Sequence, residues 1–229
     1  MICVAVAMPK AAVAFDQLAG EAASCRVVEA AARASRVPVS VLTRLLWYES
    51  GFQVGAVSRV GAQGIAQFMP ATADERGLWD PFNLNLAIPQ AASLLADLEQ
   101  RFGNIGLAIA AYNAGPGRIA AWLDRKGDLP RETERFVLAV TGRSPEEWET
   151  FGSYLSLPFA EPRSCLELRG ILGSARINDL YPDRSHLMPA IGQSGRLLPS
   201  IQQSGKLLPE LQQSGRLLQD FARSGRRLQ

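Results

Sequence analysis

Histidine occurs once in the 229 residues, as His186, late in the chain among Pro182, Arg184 and Pro189. A Ser-His-Asp or Cys-His nucleophile needs a positioned base, so a single loop histidine all but removes that chemistry. Cysteine occurs three times, at Cys3, Cys25 and Cys165, with no close pair, so the usual zinc-ligand spacing is missing. No glycine loop of the GxxxxGK[ST] kind is present to cradle a phosphate. The N-terminal apolar run, Met1 to Met8, is too short to span a bilayer. One sign of charge does not dominate either: the net charge is +2, which says little about partners, and no nucleic-acid partner is expected. With metal and cofactor both expected to be absent, what remains is carboxylate chemistry or pure binding.

Apolar residues make up 47% of the chain and charged residues 20%, the proportions of a globular protein with one good core and an appendage. The pattern predicts a mainly α fold, because no convincing run of alternating strand residues occurs. Cys25 to Ser35 is alanine-rich and helical, and Pro38 suits the first turn of a helix ending at Glu49. Gly51, Gly55, Gly61 and Gly64 mark a glycine-rich loop or small β-like hairpin, followed by a short helix over Thr72 to Arg76. Leu86 to Phe102 is amphipathic, with Leu94, Leu95 and Leu98 inward and Gly103 as its stop. Ile105 to Tyr112 is apolar nearly all round and reads as the buried central helix, broken by Asn113-Ala114-Gly115-Pro116-Gly117. Pro116 opens a helix through Ile119 and Trp122, and Glu132 to Thr141 forms another.

The domain layout read from these signals has four parts. Residues 1–14 are either a signal segment, with Ala12-Val13-Ala14 as a small-x-small cleavage site, or a buried N-terminal run; no basic residue precedes the apolar stretch. Export and a periplasmic location are expected. Residues 24–157 form the globular domain, 158–191 an irregular connector, and 192–229 a basic tail. The tail repeats a ten-residue unit containing Ser-Gly-Arg/Lys-Leu-Leu, and carries six basic residues against two acidic ones. Pro199 and Pro209 interrupt any long helix, so it reads as flexible; the alternative is a helix from Pro209 with Leu211, Leu218, Phe221 and Leu228 on one side. Removal of residues 1–14 would leave Cys25 and Cys165, either a disulfide bracketing the domain or two unrelated buried thiols.

Glu49 is the strongest catalytic candidate. Stepping back by four gives Leu45 and Val41, so its carboxylate shares a stripe that otherwise faces inward. A carboxyl held against apolar side chains has its charged form disfavoured, which is how a general acid is made at neutral pH. The plain alternative is an ordinary, partly solvated glutamate near a helix end.

Four segments in order decide between these. They are Glu49-Ser50-Gly51-Phe52; Gly61-Ala62-Gln63-Gly64-Ile65-Ala66-Gln67-Phe68-Met69-Pro70-Ala71-Thr72-Ala73; Ala110-Ala111-Tyr112-Asn113-Ala114-Gly115-Pro116-Gly117; and Leu129-Pro130-Arg131-Glu132-Thr133-Glu134-Arg135-Phe136-Val137. Together they resemble the soluble lytic transglycosylase family of the lysozyme-like superfamily, over roughly residues 25–142. The resemblance implies a lysozyme-like helical domain with Glu49 as the single catalytic acid/base. It implies that Gln67 and Met69 line a saccharide groove, with Ser58 near the carboxylate. Tyr112 and Asn113 would stand opposite Glu49, and Glu132 would contact a sugar or support Tyr112. Ile65-Ala66 replaces the family's usual small-or-aliphatic residue and Met, and Phe136 stands where the family usually has Tyr.

Each of these residues has a plainer reading. Tyr112 could be a core tyrosine with a backbone partner, Asn113 a helix stop, Met69 a gap-filler, Ser58 a turn residue and Glu132 a helix-start carboxylate. The activity implied by the resemblance is cleavage of the bond between N-acetylmuramic acid and N-acetylglucosamine in peptidoglycan, without water, leaving a 1,6-anhydro end. The size resembles members that open the wall for secretion or conjugation machinery, which the tail would then contact. A hydrolase on the same scaffold, resembling goose-type lysozyme, and a non-catalytic glycan-binding or assembly protein are the alternatives.

Overall fold

The computed structural model describes residues 10–152, 157 and 163–173. Within them the chain forms α1 (Lys10–Ser35), α2 (Val39–Ser50), α3 (Pro70–Glu75), α4 (Leu84–Phe102) and α5 (Ile105–Ala114), then α6 (Pro116–Leu123), α7 (Arg131–Thr141), α8 (Pro145–Phe151) and α9 (Cys165–Leu172). The fold is mainly α, and among the described residues β structure is limited to two isolated antiparallel bridges, Val57 with Gln63 and Gln63 with Phe68. The repeat tail, His186 and Cys3 lie outside the described residues. So does most of the segment expected as a signal; α1 takes in its residues 10–14.

α5 is the hub. Its residues from Ile105 to Ala111 are all buried, and it packs against α4, α6, α7 and α8. Asn104 starts it by accepting the Leu107 N–H at 2.9 Å, while its own amide donates to the Trp148 carbonyl at 3.2 Å. Gly106 lets the fully buried Trp148 ring lie against the helix, where a Cβ would collide with it. α1 and α4 pack together on one side of this core, with α2 against α1, α7 and α9.

Helix ends follow their residues. α2 begins one residue after Pro38 and runs one residue past Glu49. It stops at Gly51, whose φ of 63° is left-handed and whose N–H returns to the Trp47 carbonyl. α4 begins at Leu84, capped by Asn83, and stops at Gly103 with φ 82°. Leu95 and Leu98 are buried as expected, and Leu94 is half-buried. α5 extends two residues beyond the expected end, so Asn113 is helical and the break falls at Gly115.

The irregular connector expected over 158–191 is corrected in part, because Cys165–Leu172 is helical. A capping box starts α9: the Ser164 hydroxyl takes the Glu167 N–H, and the Glu167 carboxylate takes the Ser164 N–H. Glu29 accepts the Cys165 N–H at 3.2 Å, Leu168 and Leu172 are buried, and Cys165 is bonded to Cys25 with Cα atoms 5.3 Å apart. A second capping box, Ser144 with Glu147, starts α8, which the sequence reading did not anticipate.

Gly64 fixes the loop between α2 and α3. Its φ is 74°, and a Cβ there would run into the Pro81 carbonyl. Replacing it with alanine combines a backbone clash with a conformation that suits glycine, so the expected loss of stability is about 2–4 kcal/mol. Urea unfolding of Gly64→Ala would read it, and a loss under about half a kcal/mol would show that the two loops can part freely.

Candidate active site

The site is assembled around the end of α2. Val41 and Leu45 are fully buried, and Glu49 continues their stripe with some solvent access. Burial pushes the Glu49 carboxyl from 4.5 to about 8, and the negative charge of Glu132 adds to the rise. At neutral pH the group is therefore mostly protonated and able to donate.

Three hydrogen bonds join the elements that surround it. Ser50, the next residue, donates its hydroxyl to the Ile65 carbonyl at 2.7 Å, fixing α2 to the 51–69 loop. Tyr112, near the end of α5, donates its hydroxyl to the neighbouring Ala66 carbonyl at 2.9 Å, and its ring meets Phe68 edge-on. Thr133 in the first turn of α7 donates to the Asn113 side-chain oxygen at 2.8 Å, which holds α7 beside α5. α2, α5 and α7 are thus tied into one frame through the loop and Asn113.

Tyr112 is held well above its ordinary pKa, by burial first and then by the Glu49 charge, with Arg76 opposing. These influences bring Glu49, Tyr112 and Glu132 into one electrostatic neighbourhood, and they add a residue the sequence reading missed. Arg76 follows α3 and donates to Ser93 at 3.0 Å and Asp97 at 2.9 Å on α4. No motif flags it, because its significance comes from being folded towards Tyr112.

The remaining expected site residues are placed as follows. Gln67 has a left-handed backbone, φ 49°, and its amide nitrogen donates to the Gly64 carbonyl at 2.8 Å and the Ala56 carbonyl at 3.3 Å. Its amide nitrogen therefore shapes the loop, and its side-chain oxygen remains as the group to offer a ligand. Non-glycine residues in this region carry a backbone cost, and such residues concentrate at functional sites. Ser58 accepts the Ala62 N–H at 3.0 Å, closing the turn enclosed by the Val57–Gln63 bridge. Met69 precedes α3 and is 42% exposed, so it lines surface rather than core. Glu132 is exposed in the first turn of α7, and Asn113 is engaged by Thr133. No group of three or more metal-ligating side chains occurs among the described residues.

A single protonated carboxyl, framed by three helices and a glycine loop, suits acid catalysis on a glycosidic bond. Comparison with known proteins bears on the same stretch. Residues 26–134 match the family model described as the transglycosylase SLT domain, an interval that holds Glu49, Ser58, Gln67, Met69, Tyr112, Asn113 and Glu132. The peptidoglycan transglycosylase gp16 of Escherichia phage T7 is 40% identical over 97 residues, covering 39% of this chain and 7% of that protein. The soluble lytic murein transglycosylase of Salmonella typhimurium is 40% identical over 86 residues, covering 33% of this chain and 13% of its own. Among solved structures, the 70 kDa soluble lytic transglycosylase of Escherichia coli aligns with a TM-score of 0.47 and 27% identity. That alignment covers 51% of this chain and 22% of that one. The chain thus spans well under two thirds of the length of these relatives. The similarity to the transglycosylase SLT domain thus lies in residues 26–134, a little under half of the chain.

Proposed function

We propose that this protein cleaves peptidoglycan glycan strands as a lytic transglycosylase, with Glu49 as acid and then base. The observation that carries the reading is the buried Glu49 carboxyl, raised to about 8, within the SLT-domain interval. In its protonated form Glu49 donates to the oxygen linking N-acetylmuramic acid to N-acetylglucosamine, and that bond breaks as positive charge develops on the muramic acid ring. The resulting carboxylate then takes the proton of the sugar's own C6 hydroxyl as its oxygen closes on the anomeric carbon. The proton count balances, Glu49 ends protonated, and no water is consumed. An intramolecular hydroxyl has the advantage of proximity over a bound water.

The other expected residues take supporting roles in this proposal. Tyr112 and Gln67 hold the loop against Glu49, and the Gln67 oxygen, Ser58, Met69 and Asn113 offer contacts to the sugar chain. Glu132 keeps the Glu49 proton in place before reaction and supplies negative charge near the developing cation. The same Glu132 charge favours a second reading, hydrolysis, in which a second carboxylate activates water. The proposal extends to a protein acting at the cell wall after export, for which the Cys25–Cys165 bond fits an oxidising compartment. Secretion or conjugation machinery reached through the basic tail is a proposal on the same footing.

Mass spectrometry of muropeptides released from purified peptidoglycan tests the reaction. The expected products end in 1,6-anhydro-N-acetylmuramic acid. Products heavier by one water would replace the transglycosylase with a hydrolase, and binding without release would replace both with a glycan-binding role.

A further inference from the structure

α9 and the disulfide lie outside the SLT-domain interval, yet they bear on the segment that carries Glu49. Cys25 falls one residue before the matched stretch and Cys165 well after it. From the helix they anchor, Arg169 reaches the Glu49-Ser50-Gly51-Phe52 segment at Phe52. Its guanidinium lies over the Phe52 ring, 4.1 Å from the centroid, inside the range of a cation–π contact.

The same guanidinium is fastened to α1. One of its nitrogens donates to the Ser24 hydroxyl at 2.8 Å and the Glu21 carbonyl at 3.3 Å, and the other stands 3.7 Å from the Glu21 carboxylate. The side chain is 12% exposed, and burial lowers the pKa of its cation against the pull of Glu21. An arginine this enclosed is costly unless its partners hold it, and here they hold it in one place.

Phe52 is a consequential residue to press on. It follows Gly51 with a second consecutive left-handed backbone, φ 65° after φ 63°, and it is buried against Trp47 on α2. Gly173 at the end of α9 faces that same Trp47. Non-glycine residues keep such a φ only where packing over-determines them, and here part of that packing comes from Arg169. The Phe52 backbone is three residues from Glu49, so its position sets how the last turn of α2 meets the 51–69 loop.

We infer that Arg169 is a positioning residue for Glu49, acting through its stack on Phe52 and tethered to α1 by the Cys25–Cys165 bond. The inference rests on Glu49 being the acid of the proposed reaction. The groups that set the Glu49 proton directly are Glu132 from α7 and its own burial, with Tyr112 facing it from α5. An effect of Arg169 therefore travels through packing. Loosening Phe52 admits water to the carboxyl and lowers its pKa from about 8 towards the ordinary value of 4.5.

The test uses the full chain, with Arg169→Met and Phe52→Leu as separate variants and Arg169→Lys as the conservative one. Initial rates on soluble glycan strands are expected to show kcat down about tenfold in the first two, with KM within twofold. Arg169→Lys keeps a cation over the ring and should recover at least a third of the wild-type kcat. In parallel, a carbon-13 NMR titration of the Glu49 carboxyl, assigned with Glu49→Gln, should show its pKa lower by a unit or more in Arg169→Met and Phe52→Leu. The titration needs no turnover, so it stands even if the wild type proves unable to cleave. Unchanged kcat and unchanged Glu49 titration in folded Arg169→Met would overturn the inference. If that variant does not fold, the same null result in Phe52→Leu, which keeps the cation, would overturn it.

Discussion

Glu49→Gln is expected to lower glycan cleavage by about a thousandfold or more, within the range of general acid–base contributions, while glycan binding and the fold persist. The same substitution should stabilise the protein, and by an amount that depends on pH. The folded carboxyl titrates near 8, raised first by burial and then by Glu132, against 4.5 when unfolded. Below 4.5 both states hold the proton, and above 8 neither does. Between those values the folded state alone keeps it, so wild-type stability falls as pH rises through this window. Each pH unit across the window costs about 1.4 kcal/mol, so the whole of it corresponds to a loss of up to about 5 kcal/mol. Glutamine mimics the protonated carboxyl and has nothing to lose. Urea unfolding of both proteins should give similar stabilities at pH 4.5 and a clear advantage to Glu49→Gln at pH 8.5. A stability difference that does not change with pH would show that Glu49 titrates as a solvated carboxyl, and the acid role would go with it. Activity should follow the same group, falling on the alkaline side as the proton is lost.

The step of four from Val41 and Leu45 put Glu49 on the inward stripe of α2. That signal alone fitted a partly solvated glutamate equally well, and only the four ordered motifs made it the acid candidate. Helices α2, α4, α5, α6 and α7 were legible from local signals too: the amphipathic stripe of α4 with Gly103 as its stop, the all-round apolar run of α5, and Pro38 and Pro116 at the starts of α2 and α6. α8 and α9 were not, although both announce themselves with Ser-x-x-Glu capping boxes at Ser144 and Ser164. Each is short, seven and eight residues, and short helices take most of their stability from tertiary contacts that no local window contains. For α9 that contact is Cys25, 140 residues away in sequence. Arg76 escaped notice for a related reason: its partners Ser93, Asp97 and Tyr112 come from two other helices. Gln67 shows a subtler limit. Its motif placed it at the groove, and only the fold reveals that its amide nitrogen is committed to Gly64 and Ala56.

Loss of the Cys25–Cys165 bond should produce a large loss of stability. The bond closes a loop across a sequence separation of 140 residues. Closing so long a loop removes enough unfolded-chain entropy to stabilise the fold by about 5 kcal/mol on the chain-entropy account, with about 2–5 kcal/mol the range usually realised. At roughly 2–4 °C for each kcal/mol in a domain of this size, reduction or Cys25→Ser/Cys165→Ser should lower Tm by about 5–15 °C. The loss is not shared evenly. The α1–α5 core keeps its packing when the bond is cut, whereas α9 is left with non-covalent contacts such as the burial of Leu168 and Leu172, the Arg169 contacts and the Glu29 bond to Cys165. An eight-residue helix does not persist on propensity alone. Local opening of α9 should therefore precede global unfolding, and hydrogen exchange of residues 165–172 should accelerate by about tenfold or more while α5 amides stay protected. Thermal scans with and without reductant, with thiols counted by alkylation, give the first number, and exchange mass spectrometry gives the second. An unchanged Tm in fully reduced protein would show that packing alone secures α9, and an even rise in exchange across α5 and α9 would show that the strap and the core melt as one unit. The first of those outcomes would leave Arg169 in place on Phe52 without its tether; the expected one makes the covalent bond the reason that a short helix outside the SLT-domain interval can press on the turn that follows Glu49.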